Sequence, residues 1–103
     1  MSAVETATPD IVENGLLNGR VRLRQPAKGY RAGMDAALLA AATPVRPGER
    51  LIEAGCGAGG VLMQVAARCP QARVTGLERD PAMADLASSN AALNGFQDRL
   101  SVR

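Results

Sequence analysis

Apolar and polar residues alternate from Arg20 to Arg24, where Val21 and Leu23 lie between arginines. A period of two predicts a half-buried strand with the arginines on one face. Pro26 and Gly29 close this strand, and residues 30–33 read as a loop. Asp35 precedes an Ala/Leu run over 36–42, which predicts a helix with Asp35 as its N-cap. Thr43-Pro44 and Pro47-Gly48 end it. From Glu49 the pattern changes. A short apolar strand over 50–54 runs into glycines, and a helix over 60–68 carries Val61, Leu62, Val65, Ala66 and Cys69 on one face. Pro70 stops it, and a second strand follows over 72–77. Asp80-Pro81 starts another helix, with Met83, Leu86, Ala87 and Asn90 as its inward stripe and Asn94-Gly95 at its end. A third strand begins at Arg99. Strands alternating with helices predict an α/β fold with a parallel sheet and right-handed crossovers.

Residues 1–14 hold Glu5, Asp10 and Glu13 and no basic residue, and are read as a mobile tail. Residues 15–48 then form an N-terminal strand, loop and helix, and residues 49–103 a β-α-β-α-β unit. From Arg20 to Arg31 the charges are Arg20, Arg22, Arg24, Lys28 and Arg31, with no acid among them. Such a face is either solvated or placed against a nucleic-acid backbone, where binding would depend on salt.

Composition narrows the chemistry. The 103 residues are 47% hydrophobic and 21% charged, an ordinary globular balance, and the net charge of +2 sets no nucleic-acid signature by itself. With no His, this chain has no imidazole base and no His metal site. One Tyr, one Phe and no Trp argue against an aromatic platform for stacking bases built from this segment alone. Cys56 and Cys69 form neither a zinc knuckle nor a CxxC pair, so no metal is expected, and two such thiols fit a reducing, cytoplasmic setting. No apolar run reaches the roughly 18 residues that span a bilayer.

The most informative segment is Leu51-Ile52-Glu53-Ala54-Gly55-Cys56-Gly57-Ala58-Gly59-Gly60, at a strand-to-helix turn. Its glycines satisfy both G-x-G-x-x-G and G-x-G-x-G, and let backbone approach a ligand closely. Glu78 follows the second strand, where an acid reaches a ribose diol. Glu53 lies two residues before the first glycine. A pyrophosphate at the helix N-terminus disfavours an anion there, whereas a ligand bearing an ammonium and a sulfonium tolerates one. Cys56 is read as a small residue packed in the turn. The adjoining helix N-terminus would lower its thiol pKa, but no catalytic partner stands beside it.

On Glu53-x-Gly55-x-Gly57-x-Gly59 and Glu78 the sequence resembles class I S-adenosylmethionine-dependent methyltransferases over about residues 18–103. Gln25-Pro26 and Gly29-Tyr30-Arg31-Ala32-Gly33-Met34-Asp35, with the Ala/Leu helix, are similar to the small-domain branch that resembles tRNA(Val) adenine-N6 methyltransferases. The resemblance implies a Rossmann-like parallel sheet of that type, represented here by its first three strands. It also implies that Gly55, Gly57 and Gly59, with Cys56 in the same turn, line the methionine part of the cofactor. Glu53 would hold the ammonium and Glu78 the ribose hydroxyls. Arg79 and Asp80 would border the adenine. Asp35 and the loop before it would close over the methionine end.

The fourth-strand Asn-Pro-Pro-Tyr motif of enzymes that methylate exocyclic amines does not occur within these residues. The catalytic residues are therefore unassigned, and the chain alone is expected not to turn over. The implied function is cofactor binding for methyl transfer to an RNA base amine, such as adenine N6 in tRNA. Protein and small-molecule methyl transfer, a NAD-type oxidoreductase module and a non-enzymatic binding module stand as alternatives. The strand over 50–54 is expected to be a sheet edge open to self-association.

Overall fold

The computed structural model describes residues 10–29 and 32–103. Two strands, β1 (Ile11–Leu16) and β2 (Val21–Pro26), form an antiparallel hairpin. Helix α1 (Met34–Ala42) follows, and then β3 (Arg50–Ala54), α2 (Gly60–Arg68), β4 (Arg73–Leu77), α3 (Pro81–Leu93) and β5 (Leu100–Val102). The last three strands make a parallel sheet in the order β3-β4-β5. The α/β class, the parallel sheet and the edge position of β3 agree with the sequence reading. No helix among the described residues is long and apolar enough to cross a membrane.

The hairpin corrects the N-terminal reading. Residues 11–14, expected in a mobile tail, lie in β1, whereas residues 1–9 lie outside the described residues. Leu17 and Asn18 both take positive φ, 52° and 54°, and the Gly19 N–H donates to the Leu16 carbonyl at 3.1 Å. Two central residues at positive φ match the right-handed twist of a hairpin. The Asn18-Gly19 dipeptide marked the turn, offset by one residue from its central pair, with Gly19 also at positive φ, 82°. It is easily overlooked because β1 shows no apolar alternation of its own.

β1 also supplies an acid that the arginine run lacks in sequence. Glu13 lies opposite Arg24, and its carboxylate oxygens accept from Arg22 Nε at 2.8 Å and Arg24 Nε at 3.1 Å. These bonds, to Arg22 first and then Arg24, hold the Glu13 carboxyl below the usual carboxylate range. Arg20 instead donates to the Ala67 carbonyl at the end of α2, at 3.3 Å.

Val21 and Leu23, on the opposite face of β2, are fully buried, together with Leu62, Met63 and Val65 of α2 and Val74 of β4. α2 is buried more nearly all round than one face predicts, because it packs against α1 as well as β2 and β4. Its Gln64 is also buried and turns back to donate to the Gly60 carbonyl at 3.0 Å. The other sheet face is open: Ile52 is 65% exposed and Leu77 41%.

Two helix starts differ. Asp80 caps α3 as predicted, its Oδ1 accepting the Ala82 N–H at 3.0 Å. Asp35, expected as the N-cap of α1, lies within its first turn, and Gly33 occupies the cap without a side-chain bond. The helix begins earlier because Met34 already takes helical geometry and the Ala37 N–H reaches the Gly33 carbonyl at 3.2 Å. An acid in the first turn still complements the helix dipole.

Candidate functional site

At the C-terminal end of β3 the chain passes through Gly55, Gly57 and Gly59 at φ values of 71°, 58° and 97° before entering α2. L side chains avoid this region, so the glycine spacing is a backbone requirement of the turn. Leu77 O binds the turn to the end of β4 by accepting from the Gly55 N–H at 2.7 Å and the Cys56 N–H at 3.1 Å. Beside it opens a cavity of about 200 Å³. Glu53, Gly55, Cys56 and Gly57 line one wall; Leu23 and Gln25 of the hairpin and Met83 of α3 also line it.

Glu53 is the chemically unusual group. It is half-buried, and its Oε1 is shielded from solvent with no hydrogen-bond partner among the described residues. Burial raises its pKa to about 7. A desolvated carboxylate of this kind is stabilised in its ionised form by a cation placed against it. Cys56 behaves opposite to expectation. Its thiol pKa is pushed up to about 11, by burial and then by the nearby Glu53 and Glu78 carboxylates. The helix N-terminus does not outweigh these effects, so the thiol stays protonated at neutral pH.

Glu78 is held differently. Its Oε2 accepts the Asp80 N–H at 2.9 Å and its Oε1 accepts the Gly57 N–H at 2.8 Å. Those bonds, Asp80 first, lower its pKa. A carboxylate offers about four acceptor sites, so capacity remains for a further donor. The second bond joins the strand-end acid to a glycine that lines the cavity. The structure thus brings together Glu53, Gly55, Cys56, Gly57 and Glu78. Gly59 is buried at the N-cap of α2. Arg79 and Asp80 are exposed beside Glu78, and they and Asp35 are outside the cavity lining. Tyr30 and Arg31, in the loop expected to close over the site, lie outside the described residues.

The sequence reading gave no site role to Leu23, Gln25 or Met83. Gln25 is a buried polar residue whose Oε1 accepts the Ala32 N–H at 2.9 Å and whose Nε2 donates to Asn14 Oδ1 at 2.9 Å. A polar residue at the third inward position of an otherwise apolar strand face was the available signal.

A glycine turn at the carboxyl end of a parallel strand, an acid before it and a second acid after the next strand define a nucleoside-cofactor α/β domain. Residues 51–103 match the methyltransferase domain family, and the chain belongs to that family. The tRNA1(Val) (adenine(37)-N6)-methyltransferase of Yersinia pestis (strain Pestoides F) is 37% identical over 73 residues, which are 70% of this chain and 29% of that protein. The chain therefore spans under a third of the length of such curated relatives. Geranyl diphosphate C-methyltransferase from Streptomyces coelicolor A3(2), solved with Mg2+, geranyl-S-thiolodiphosphate and S-adenosyl-L-homocysteine, is 27% identical. It superposes with a TM-score of 0.61 over 68% of this chain and 25% of its own. A Pyrococcus horikoshii protein, 19% identical, reaches a TM-score of 0.75 over 93% of this chain and 36% of its own, and shows the shared fold alone.

Proposed function

We propose that this chain is the S-adenosylmethionine-binding part of a methyltransferase that acts on a tRNA base amine. The observation that carries the cofactor reading is the buried Oε1 of Glu53, unpartnered among the described residues, at the glycine-lined cavity. The residues fit the group: Glu53 would face its ammonium, the Gly55–Gly57 backbone its methionine chain, and Glu78 its ribose hydroxyls. Arg79 and Asp80 would border the adenine, and Asp35 with the preceding loop would close the methionine end. When bound, the cofactor would supply a methyl group on a positively charged sulfur. The buried Cys56 thiol, protonated at neutral pH, would leave that methyl group unattacked. Two buried free thiols support a cytoplasmic setting.

Calorimetric titration tests this reading. S-adenosylhomocysteine is expected to bind and NAD is not; the reverse ranking overturns it. Glu78→Ala should weaken S-adenosylhomocysteine binding by about tenfold, because a charged hydrogen-bond acceptor is lost.

The Yersinia relative supports adenine N6 of tRNA as the acceptor. In this reading Arg20, Arg22 and Arg24 meet the RNA backbone, although Glu13 already engages two of them. Replacing all three should flatten the slope of log affinity against log salt by roughly two units, at about 0.7–0.9 per phosphate contact. An unchanged slope would leave these arginines to the hairpin's own ion pairs.

A further inference from the structure

The outer edge of β2 is hydrogen-bonded by side chains of α3. Asn94 Oδ1 accepts the Arg22 N–H at 2.8 Å, and its Nδ2 donates to the Arg22 carbonyl at 2.7 Å. One turn earlier, Asn90 Oδ1 accepts the Arg24 N–H at 2.9 Å, and its Nδ2 donates to the Arg24 carbonyl at 2.8 Å. Each carboxamide reproduces the donor–acceptor pair of a neighbouring strand residue. The i, i+4 spacing on a helix matches the i, i+2 spacing on a strand, about 6 Å in the first case and 6.5–7 Å in the second. Here the two asparagines differ. Asn90, fully buried, also donates from Nδ2 to the carbonyl of Ala58 in the glycine turn, at 2.9 Å. Asn94 instead donates back to the Asn90 carbonyl within its own helix.

One carboxamide therefore bonds both walls of the cavity: the hairpin that supplies Leu23 and Gln25, and the turn that supplies Gly57 and Ala58. We infer that Asn90 is a positioning residue that sets the spacing between hairpin and glycine turn at which the cofactor cavity exists. The inference rests on the cofactor reading only for the ligand. The spacing itself is a property of the free chain. Asn94 makes the same edge pairing without the bond to the turn, and so separates anchoring the hairpin from positioning the site.

The test compares Asn90→Asp, Asn90→Ala and Asn94→Ala. Asn90→Asp conserves volume and the acceptor for the Arg24 N–H, but removes both donors. Amide hydrogen exchange on the free chain reads the turn through the Gly57 N–H, bonded to Glu78, and the Gly59 N–H, bonded to Cys56 O. Both amides should exchange about tenfold or more faster in the Asn90 variants and be unchanged in Asn94→Ala. S-adenosylhomocysteine affinity should fall about tenfold in Asn90→Asp and stay within about twofold in Asn94→Ala. Equal protection of both amides in all variants would overturn the inference, as would equal losses from the Asn90 and Asn94 variants. So would failure of both Asn90 variants to fold while Asn94→Ala folds, because Asn90 would then hold the fold and not the site. Wild-type protein that does not bind S-adenosylhomocysteine sinks the cofactor reading and leaves the exchange contrast as the test of Asn90.

Discussion

Glu53→Gln is expected to make the free chain more stable at pH 8 and to weaken S-adenosylhomocysteine binding about tenfold or more. The two effects share one cause. In the folded chain the Glu53 carboxyl has a pKa of about 7, against an ordinary value of 4.5, because burial removes water without providing a partner among the described residues. The folded state thus holds the proton more tightly than the unfolded state. Its stability is full below about pH 4.5, falls as pH rises, and the loss is complete above about pH 7. Undiscounted, this displacement corresponds to about 3 kcal/mol. The half-exposed position of the side chain screens it to about 1–2 kcal/mol. Glutamine keeps the shape and carries no charge, so that slope should vanish from urea melts taken between pH 5 and pH 8. The same substitution removes the carboxylate proposed to meet the ligand ammonium, a charge-assisted hydrogen bond in a poorly solvated place. Wild-type affinity should rise from pH 6 to pH 8 as Glu53 ionises, and the variant's should not. Superimposable melts of the two proteins at pH 8 would show a solvated carboxylate and remove the basis of the cofactor reading.

Gly76→Ala should destabilise the chain by about 1–3 kcal/mol, although alanine is otherwise the better strand residue. Gly76 is buried in the middle of β4, beside Glu53 on one side and Val102 on the other. A Cβ there would stand 2.6 Å from Cys56 Sγ and 2.6 Å from Leu62 Cδ1. The glycine turn and the first turn of α2 lie on β4 because position 76 has no side chain. Adding Cys56→Ala removes one of the two clashing atoms and should restore part of the loss, a coupling of about 1 kcal/mol in a double-mutant cycle. Denaturant titration of the four proteins measures it. A Gly76→Ala chain as stable as wild type would mean that α2 shifts freely on the sheet.

The parts legible in sequence share a short range. β3 and α2 occupy the residues their patterns predict, 50–54 and 60–68, and α3 begins at the Asp80-Pro81 signal. Each follows from periodicity or capping within a few residues, where backbone geometry and solvent exposure suffice. The glycine turn was legible for the same reason, since its φ requirement is local. β1 was missed because its only local mark was the Asn18-Gly19 turn, and its residues are stabilised by what lies across the hairpin.

What only the tertiary structure decided concerns pairs distant along the chain. Asn90 was legible as an inward position of α3. Its bonds to Arg24, 66 residues away, and to Ala58, 32 residues away, have no sequence signature. The role of Gly76 depends on the packing of Cys56 and Leu62 over β4. The arginine face acquired its counter-charge only when β1 brought Glu13 alongside. Glu53 stood at a recognisable place before the first glycine, but its raised pKa comes from its burial in the folded chain. Local sequence determines backbone conformation and which face of an element is apolar. Desolvation and hydrogen-bond partnership depend on which atoms the fold places nearby, and those distances exist only once the chain has closed on itself.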